Sequence, residues 1–443
     1  MIDIEQLYAS FKQSNGVTTD TRQCKEGMMF FALRGENFDG NRYAVEALGK
    51  GCSYVVVDNR DCFAEDNPQM ILVDDSLKAL QQLARYHRRQ LGTTIVGVTG
   101  TNGKTTTKEL MATVLKRRYH ILYTQGNLNN HIGVPLTLLQ LTSSHEMAIV
   151  EMGANHPGDI KELVDIAEPD YGVITNVGMA HLQGFGSFEG VIRTKGELYD
   201  YIRTTEKRTI FLNDNNEHLK AIADGLAAVR YGLAAVRYGR PSGADALFVE
   251  GEVIACDPYL RFRWKGGFDD WHEVSTHIVG SYNIDNALCA ATVGRYFGVS
   301  VEDVSAALAE YIPTNNRSQL TETEHNTLIV DAYNANPTSM RAALDNFVCM
   351  EVSPKMVILG DMKELGEATA EAHQTVADRL AECGFEQVWL VGTAFAATQH
   401  GAARVFADAE EVKDELQRNP VKKKYILVKG SNSMKLASLI PYL

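Results

Sequence analysis

The 443-residue sequence has no surplus of positive charge: 43 lysines and arginines stand against 56 aspartates and glutamates, a formal net charge of −13. That balance excludes a protein that tracks nucleic-acid phosphates over a broad basic face, while leaving room for a local positive pocket. Seven cysteines, an odd number with no Cys-x-x-Cys pair, exclude a fully paired disulfide framework and suit a reducing compartment. No apolar run approaches the length of a membrane span. The opening Met1-Ile-Asp-Ile-Glu is acidic and amphipathic, so no secretory leader is expected. Nor is there an Asn-Lys-x-Asp run of the kind that reads guanine in nucleotide-driven switches. What remains is ordinary globular composition, 45% hydrophobic and 22% charged. The chain is long enough for roughly two to four domains and is expected to be cytoplasmic.

The most informative stretch is Gly97-Val-Thr-Gly-Thr-Asn-Gly-Lys-Thr-Thr-Thr-Lys108. It follows the β-branched run Thr93-Thr-Ile-Val-Gly97, which reads as a buried strand, and precedes a helical apolar spacing from Glu109 to Lys116. A strand, a glycine-rich turn and a helix make a phosphate cradle: backbone N–H groups and the helix N-terminus face the anion, Lys104 neutralises it, and the Thr105 hydroxyl can hold Mg²⁺. Strict P-loop spacing is not met, because Val98 stands where the first glycine belongs and Gly97 and Gly100 flank it. Gly103-Lys104-Thr105 at a strand-to-helix junction nevertheless points to a nucleoside triphosphate.

Three α/β domains are expected: residues 1–91, 92–312 and 313–443. In the first, Phe30–Leu33, Tyr54–Asp58 and Ile71–Val73 read as strands, Leu33–Gly40 as a binding-type loop, and Leu77–Leu91 as a helix. The second alternates strands and helices in the manner of a mostly parallel sheet, with Met147–Ala154 delivering Glu151, Tyr171–Gly178 leading to His181, and Thr194–Glu197 opening a helix. Ligands of open α/β sheets gather beyond the carboxyl ends of the strands, so the cradle, Glu151 and His181 should share one crevice. Gly225–Tyr231 is repeated at once as Gly232–Tyr238; two copies are too few for a solenoid, and a lengthened surface strand or loop away from the chemistry is expected. Asn283 and Asn286 fall three apart on one helix face, a placement that caps and ligands share. Pro313–Arg317 breaks the pattern, and the third segment reads as a smaller doubly wound, Rossmann-like domain with strands Leu328–Asp331, Met356–Gly360, Gln387–Val391 and Tyr425–Val428 and a helix Ala368–Cys383.

The ordered set of motifs resembles the Mur ligase family, the ATP-dependent amide-forming ligases of cell-wall precursor synthesis. It comprises Thr99–Thr106, Glu151–Ala154, Asn176–Leu182 (Asn-Val-x-x-Ala-His-Leu), Thr194–Glu197 and Gly280–Ala291 (Gly-x-x-Asn-x-x-Asn). Asp331–Pro337, Leu359–Gly366, Val428–Ser431, Gly126–Leu136 and Asp20–Arg22 fit, within that family, the member that adds a dipeptide. The likeness runs from end to end. It implies that Gly100, Thr101, Asn102, Gly103, Lys104, Thr105 and Thr106 hold the phosphates of ATP, with Thr105 on a first Mg²⁺. Glu151, His181 and Lys195 would serve a second Mg²⁺, Lys195 as a carbamate, since a free ammonium would repel the metal. Asn283 and Asn286 would meet adenine, Arg317 the γ-phosphate and Asp331 the ribose. Thr21, Arg22, Asp39 and Gly40 would lie at the UDP end of the sugar–peptide substrate, Asn129 and Asn130 near its peptide, and Asp361 and Lys429 would contact substrate from the third domain.

The implied substrates are UDP-N-acetylmuramoyl-tripeptide and D-alanyl-D-alanine, handled by a monomer without nucleic acid or membrane insertion. Lys104, Lys195, His181 and Arg317 are the implied catalytic groups. Tyr282 stands where His is common in the family, and Arg193-Thr194 precedes Lys195 where Ala is common. A sibling ligase of the same pathway and a folylpolyglutamate synthase are the rivals within the class. A nucleotide-driven switch is the rival outside it, although a switch has no evident need for Glu151, His181 and Lys195.

Overall fold

The computed structural model describes residues 3–204, 208–233, 247–267, 269–314 and 317–443. Most of the second copy of the repeat therefore lies outside the described residues. The first copy feeds the strand Ala228–Leu233, which pairs in parallel with Thr209–Asn213 inside the central sheet.

Three principal sheets organise the chain. The N-terminal one is parallel, in the order Val17–Thr18, Met29–Phe31, Tyr54–Val57, Met70–Leu72. The central sheet has nine strands, with Thr94–Thr99 between Tyr171–Ile174 and Met147–Glu151, both parallel to it. Its far edge is an antiparallel run through Val249–Cys256, Tyr259–Gly266 and His272–Val279, so the expected mostly parallel sheet carries an antiparallel flank. The C-terminal sheet has six strands, parallel except for its edge pair Gln319–Glu322 and Thr327–Asp331.

Thr94–Thr99 is buried on both faces because helices cover both. Ile95 packs into a core with the helices Ser76–Leu91 and Asp159–Ala167, while Val96 and Val98 pack into a second core with Leu110, Met111 and Val114 of the helix Lys104–Leu115. Such two-sided burial explains why the run reads as continuously β-branched instead of alternating. The helix Ser76–Leu91 starts on the Asp75 side-chain cap and ends at Gly92 in the left-handed region. It buries Ala79, Leu80, Leu83 and Ala84 in one core containing Met29, Phe31 and Val56 of the first sheet and Leu163 and Val164 of the central domain. The first two expected domains therefore share apolar packing through this helix.

Its polar face is tied down by Glu168, whose carboxylate accepts from Arg85 Nε at 2.9 Å and Arg89 Nε at 2.8 Å. Burial pushes the Glu168 carboxyl up, but the hydrogen bonds from Arg89 and Arg85 outweigh it and hold the group below its ordinary value. A depressed folded pKa gives stability that is present above the ordinary value of 4.5 and is lost as pH falls through the folded one. The melting-temperature difference between wild type and Glu168→Gln is thus expected to be constant around neutrality and to shrink below pH 4.5, read by thermal unfolding across a pH series.

Candidate active site

The turn Gly100–Gly103 is built for close approach. Gly100 has φ +141°, and a Cβ there would lie 2.0 Å from Thr175 Oγ1; Gly103 has φ +77°, with a Cβ 2.6 Å from Asn286 Oδ1. Asn176 pins the turn from the neighbouring strand: its carbonyl accepts from Thr101 N at 2.9 Å and its Oδ1 from Asn102 N at 3.0 Å. The helix then opens at Lys104, its first bond running from Thr107 N to Gly103 O, which leaves the preceding N–H groups pointing out of the helix N-terminus. A side chain at Gly100 must distort this turn. Gly100→Ala is expected to cost about 2 kcal/mol or more from positive-φ strain and overlap, measured as a lowered melting temperature together with loss of nucleotide binding.

Lys104 Nζ donates to Gly100 O at 2.7 Å and Thr101 O at 3.0 Å, folded back over the loop. Burial lowers its pKa to about 8, with Glu151 pulling it up and Arg317 pushing it further down. Thr105 Oγ1 donates to Glu151, 3.0 Å from Oε2, and Asn129 Nδ2 donates to Glu151 Oε1 at 2.9 Å. Lys108, one helical turn beyond Lys104 and fully buried, lies 3.7 Å from Glu151 Oε2 and donates to Thr124 O at 2.7 Å. The buried carboxylate is thereby surrounded by donors and one fixed cation.

His181 lies at φ +53°, and its Nδ1 is hydrogen-bonded to Glu364 of the C-terminal domain. Burial pushes the His181 pKa down; Glu364 pulls it up, and Lys104 and Lys195 oppose its charge. Lys195 sits in the helix Phe188–Arg203 with 2% exposure. Its Nζ is 3.5 Å from Ala154 O and 5.3 Å from the Phe185 ring centre. Burial, then the Lys104 charge, holds its pKa well below the usual lysine range, and only the more distant Asp159 and Glu197 oppose this.

A cavity of about 800 Å³ opens between the central and C-terminal domains. It brings together Thr101, Asn102, Gly103, Lys104, Thr106, Asn129, Asn130, Glu151, His181, Asn283, Asn286, Arg317, Asp331 and Lys429. Gly100, Thr105 and Lys195 lie behind its wall, each bonded to a lining residue. From the far side Arg317 stacks 3.9 Å from the Tyr333 ring centre, and its Nε is buried with no partner among the described residues. Lys429 Nζ donates to Asp331 Oδ2 at 2.5 Å. Asn283 and Asn286 are both buried, linked at 2.8 Å, with Asn286 Oδ1 accepting from Thr107 and Asn283 Nδ2 donating to Ser318 Oγ. They join the cradle helix to the edge of the C-terminal domain.

Other expected site residues stand apart from this cavity. Asp361 is fully buried and caps the short helix Thr393–Ala396, accepting from Ala394 N and Phe395 N. Thr21 and Arg22 form an exposed turn capped by Asp20, with Arg22 paired to Asp20 at 2.7 Å. Asp39 Oδ1 accepts from Asn41 N at 3.0 Å, and Gly40 packs under the Leu33 carbonyl. These four belong to the N-terminal domain, away from the phosphate cradle.

Sequence reasoning gave no role to Asn176, Lys108, Tyr333, Asn336 or Glu364. Asn336 Nδ2 bridges to Asn102 Oδ1 at 2.7 Å across the two domains. For Lys108 there was a signal, its i+4 spacing from Lys104 on the cradle helix. The other four fall inside the motifs Asn176–Leu182, Asp331–Pro337 and Leu359–Gly366, but the motifs do not show what each residue meets.

Family models match in the order of the sheets: "Mur ligase family, catalytic domain" over residues 13–88, "Mur ligase middle domain" over 98–294, and "Mur ligase, glutamate ligase domain" over 316–432. The UDP-N-acetylmuramoyl-tripeptide–D-alanyl-D-alanine ligase of Bacillus subtilis is 35% identical over 96% of this chain and 92% of its own. A solved MurF structure from Acinetobacter baumannii superposes with a TM-score of 0.85 at 28% identity, covering 99% of this chain and 97% of that one. The MurF ligase of Thermotoga maritima, solved in complex with ADP, shares the fold at a TM-score of 0.83 and 24% identity, covering 100% and 98%. With family models matched over all three sheets and a relative 35% identical over nearly its whole length, the chain belongs to the Mur ligase family.

Proposed function

We propose that this protein is an ATP-dependent ligase that joins D-alanyl-D-alanine to UDP-N-acetylmuramoyl-tripeptide, giving the pentapeptide precursor of peptidoglycan with ADP and phosphate. The observation that carries the reading is the cavity between two domains lined by Lys104 from the cradle helix and by Arg317, whose Nε is buried without a hydrogen-bond partner among the described residues. Two cations lining one cavity suit a transferring phosphoryl group, whose charge grows on its outer oxygens. No helix among the described residues is long and apolar enough to cross a membrane.

The chemistry follows from these groups. The terminal carboxylate of the tripeptide attacks the γ-phosphorus; the bond to the β-phosphate oxygen breaks, and ADP leaves with an acyl phosphate formed. Lys104 offsets charge from the cradle side and Arg317 from the C-terminal domain. The dipeptide amine then attacks the acyl carbon, phosphate departs with its electron pair, and the amine loses a proton. Water must be kept out or the acyl phosphate hydrolyses, which the docking of the two domains through Asn102–Asn336 and His181–Glu364 supports. The buried Asn283 and Asn286 would take adenine, and Asp331 the ribose.

The donor set fits Mg²⁺. Thr105 Oγ1 and both Glu151 oxygens are hard oxygen ligands gathered at the helix N-terminus, and His181 with Lys195 would complete a second site. Bound there, the ions would neutralise phosphate charge and hold the γ-phosphoryl group in line. Lys195 fits as a carbamate because its burial favours the neutral amine, which can add to CO2 with loss of one proton.

The test is phosphate release from ATP with UDP-N-acetylmuramoyl-tripeptide, with and without D-alanyl-D-alanine. Release that needs both partners, with the pentapeptide product seen by mass, is the expected outcome. Release indifferent to the dipeptide would point instead to a switch or another acceptor.

A further inference from the structure

His181 and Glu364 are both non-glycine residues with positive φ, +53° and +64°, and they meet across the junction of the central and C-terminal domains. Left-handed backbone at such residues is strained and persists only where the surroundings fix it. Here the two backbones are also joined directly: Gln183 N donates to Glu364 O at 3.3 Å, and Gly366 packs against Gln183. Glu364 comes from Leu359–Gly366, a motif whose chemistry the cavity does not otherwise use, since Asp361 is spent on capping a helix.

A carboxylate can only accept, so the His181 nitrogen facing Glu364, Nδ1, must carry the proton, and the lone pair of the neutral ring is left on Nε2. The groups facing the ring, besides Glu364, are Lys104, Lys195 and the edge-on Phe185. A histidine that ligates a metal commonly gives its other ring N–H to a carboxylate, which fixes tautomer and ring orientation. What is unusual here is that the carboxylate belongs to a different domain.

We infer that Glu364 is a positioning residue that orients His181 for the metal site, and that it does so only when the C-terminal domain is docked. Domain closure and completion of the metal site are then one event. The inference deepens the functional reading and rests on His181 being a metal ligand. In the open form the ring turns freely, both tautomers are populated, and the second site is weak. Closure supplies Glu364 together with Arg317, so the metal site and the cation for the γ-phosphate arrive from the same domain.

The probe is Mn²⁺ in the presence of ADP, with bound ion followed by electron paramagnetic resonance on the full chain. His181→Ala, Glu364→Ala, Glu364→Gln and the double variant His181→Ala/Glu364→Ala are compared, each first shown to melt as wild type does. Glu364→Ala is expected to weaken the second Mn²⁺ site about tenfold. Glu364→Gln, whose amide oxygen can still accept from Nδ1, should stay within about threefold of wild type. The double variant should bind no more weakly than His181→Ala alone, because Glu364 acts only through that ring. Wild-type Mn²⁺ binding by Glu364→Ala beside a weakened His181→Ala would overturn the role of Glu364 and leave the ligand reading standing. Equal weakening by Gln and Ala, or additive losses in the double variant, would also overturn it. Unchanged binding in His181→Ala would overturn the ligand reading and the inference together.

Discussion

Replacing Lys104 by methionine is expected to lower kcat/KM by about 10³-fold or more, with the protein still folded. Methionine keeps the length and the apolar stem but removes the charge, and the neighbouring cations among the described residues are engaged elsewhere, Lys429 with Asp331. Lys108 is committed to Glu151 and the Thr124 carbonyl, and Arg317 lies across the cavity on the ring of Tyr333. Without phosphates the Lys104 ammonium folds back on the Gly100 and Thr101 carbonyls, so the methionine variant loses two loop bonds as well. A wild-type far-ultraviolet spectrum and a modest fall in melting temperature separate this from unfolding. The pH behaviour carries a sign. Burial lowers the Lys104 pKa to about 8, and a bound triphosphate favours the protonated form. ADP affinity in wild type should therefore weaken as pH rises through that value, and the slope should vanish in Lys104→Met. Isothermal titration with ADP over a pH series reads both.

Lys195→Ala is expected to cost about 10²–10³-fold in kcat, with ATP binding far less affected. Lys195 is 2% exposed and has no carboxylate within ion-pair distance among the described residues. An isolated buried lysine of that kind is costly unless it has a task. If the task is to present a carbamate, a small carboxylate supplied in solution should enter the vacated space and restore part of the rate, whereas an alkylamine should not. Rescue by methylamine and not by acetate would reverse the assignment and make the free amine the working group. Steady-state phosphate release with each additive decides between them.

The parts of the fold that could be read in the sequence are those whose signals are local. Thr93–Gly97 announces a strand buried on both sides because every residue is β-branched or small, and Gly103-Lys104-Thr105 marks the junction because a left-handed turn and a helix N-terminus need those residue types in that order. The antiparallel strands Val249–Cys256 to His272–Val279 were not seen. The alternation is nevertheless there: Leu260, Phe262 and Trp264 are buried between Arg261, Arg263 and Lys265, and Arg263 and Lys265 pair with Glu252 and Glu250 on the polar face. In the site, Glu151 and Asp331 could be placed at strand ends from sequence, and His181 in the loop after a strand, since the strands carry such groups to one edge of their sheets. Asp361 sits at such a strand end too, yet its buried carboxylate is turned into a helix cap, a choice made by Ala394 and Phe395 more than thirty residues away. The partners of Glu364 and Asn336 are hidden for the same reason: each residue, though inside a motif, acts on a residue of another domain.

The most direct test of the central claim uses tripeptide substrate labelled with ¹⁸O in its terminal carboxylate. If the cavity activates that carboxylate at the γ-phosphorus, the attacking oxygen stays with phosphorus when the acyl bond is broken by the dipeptide amine. Each inorganic phosphate released should then carry one ¹⁸O, and the new amide should keep the other. Unlabelled phosphate released while the pentapeptide forms would mean that the carboxylate oxygen is never transferred to phosphorus, and would contradict the account.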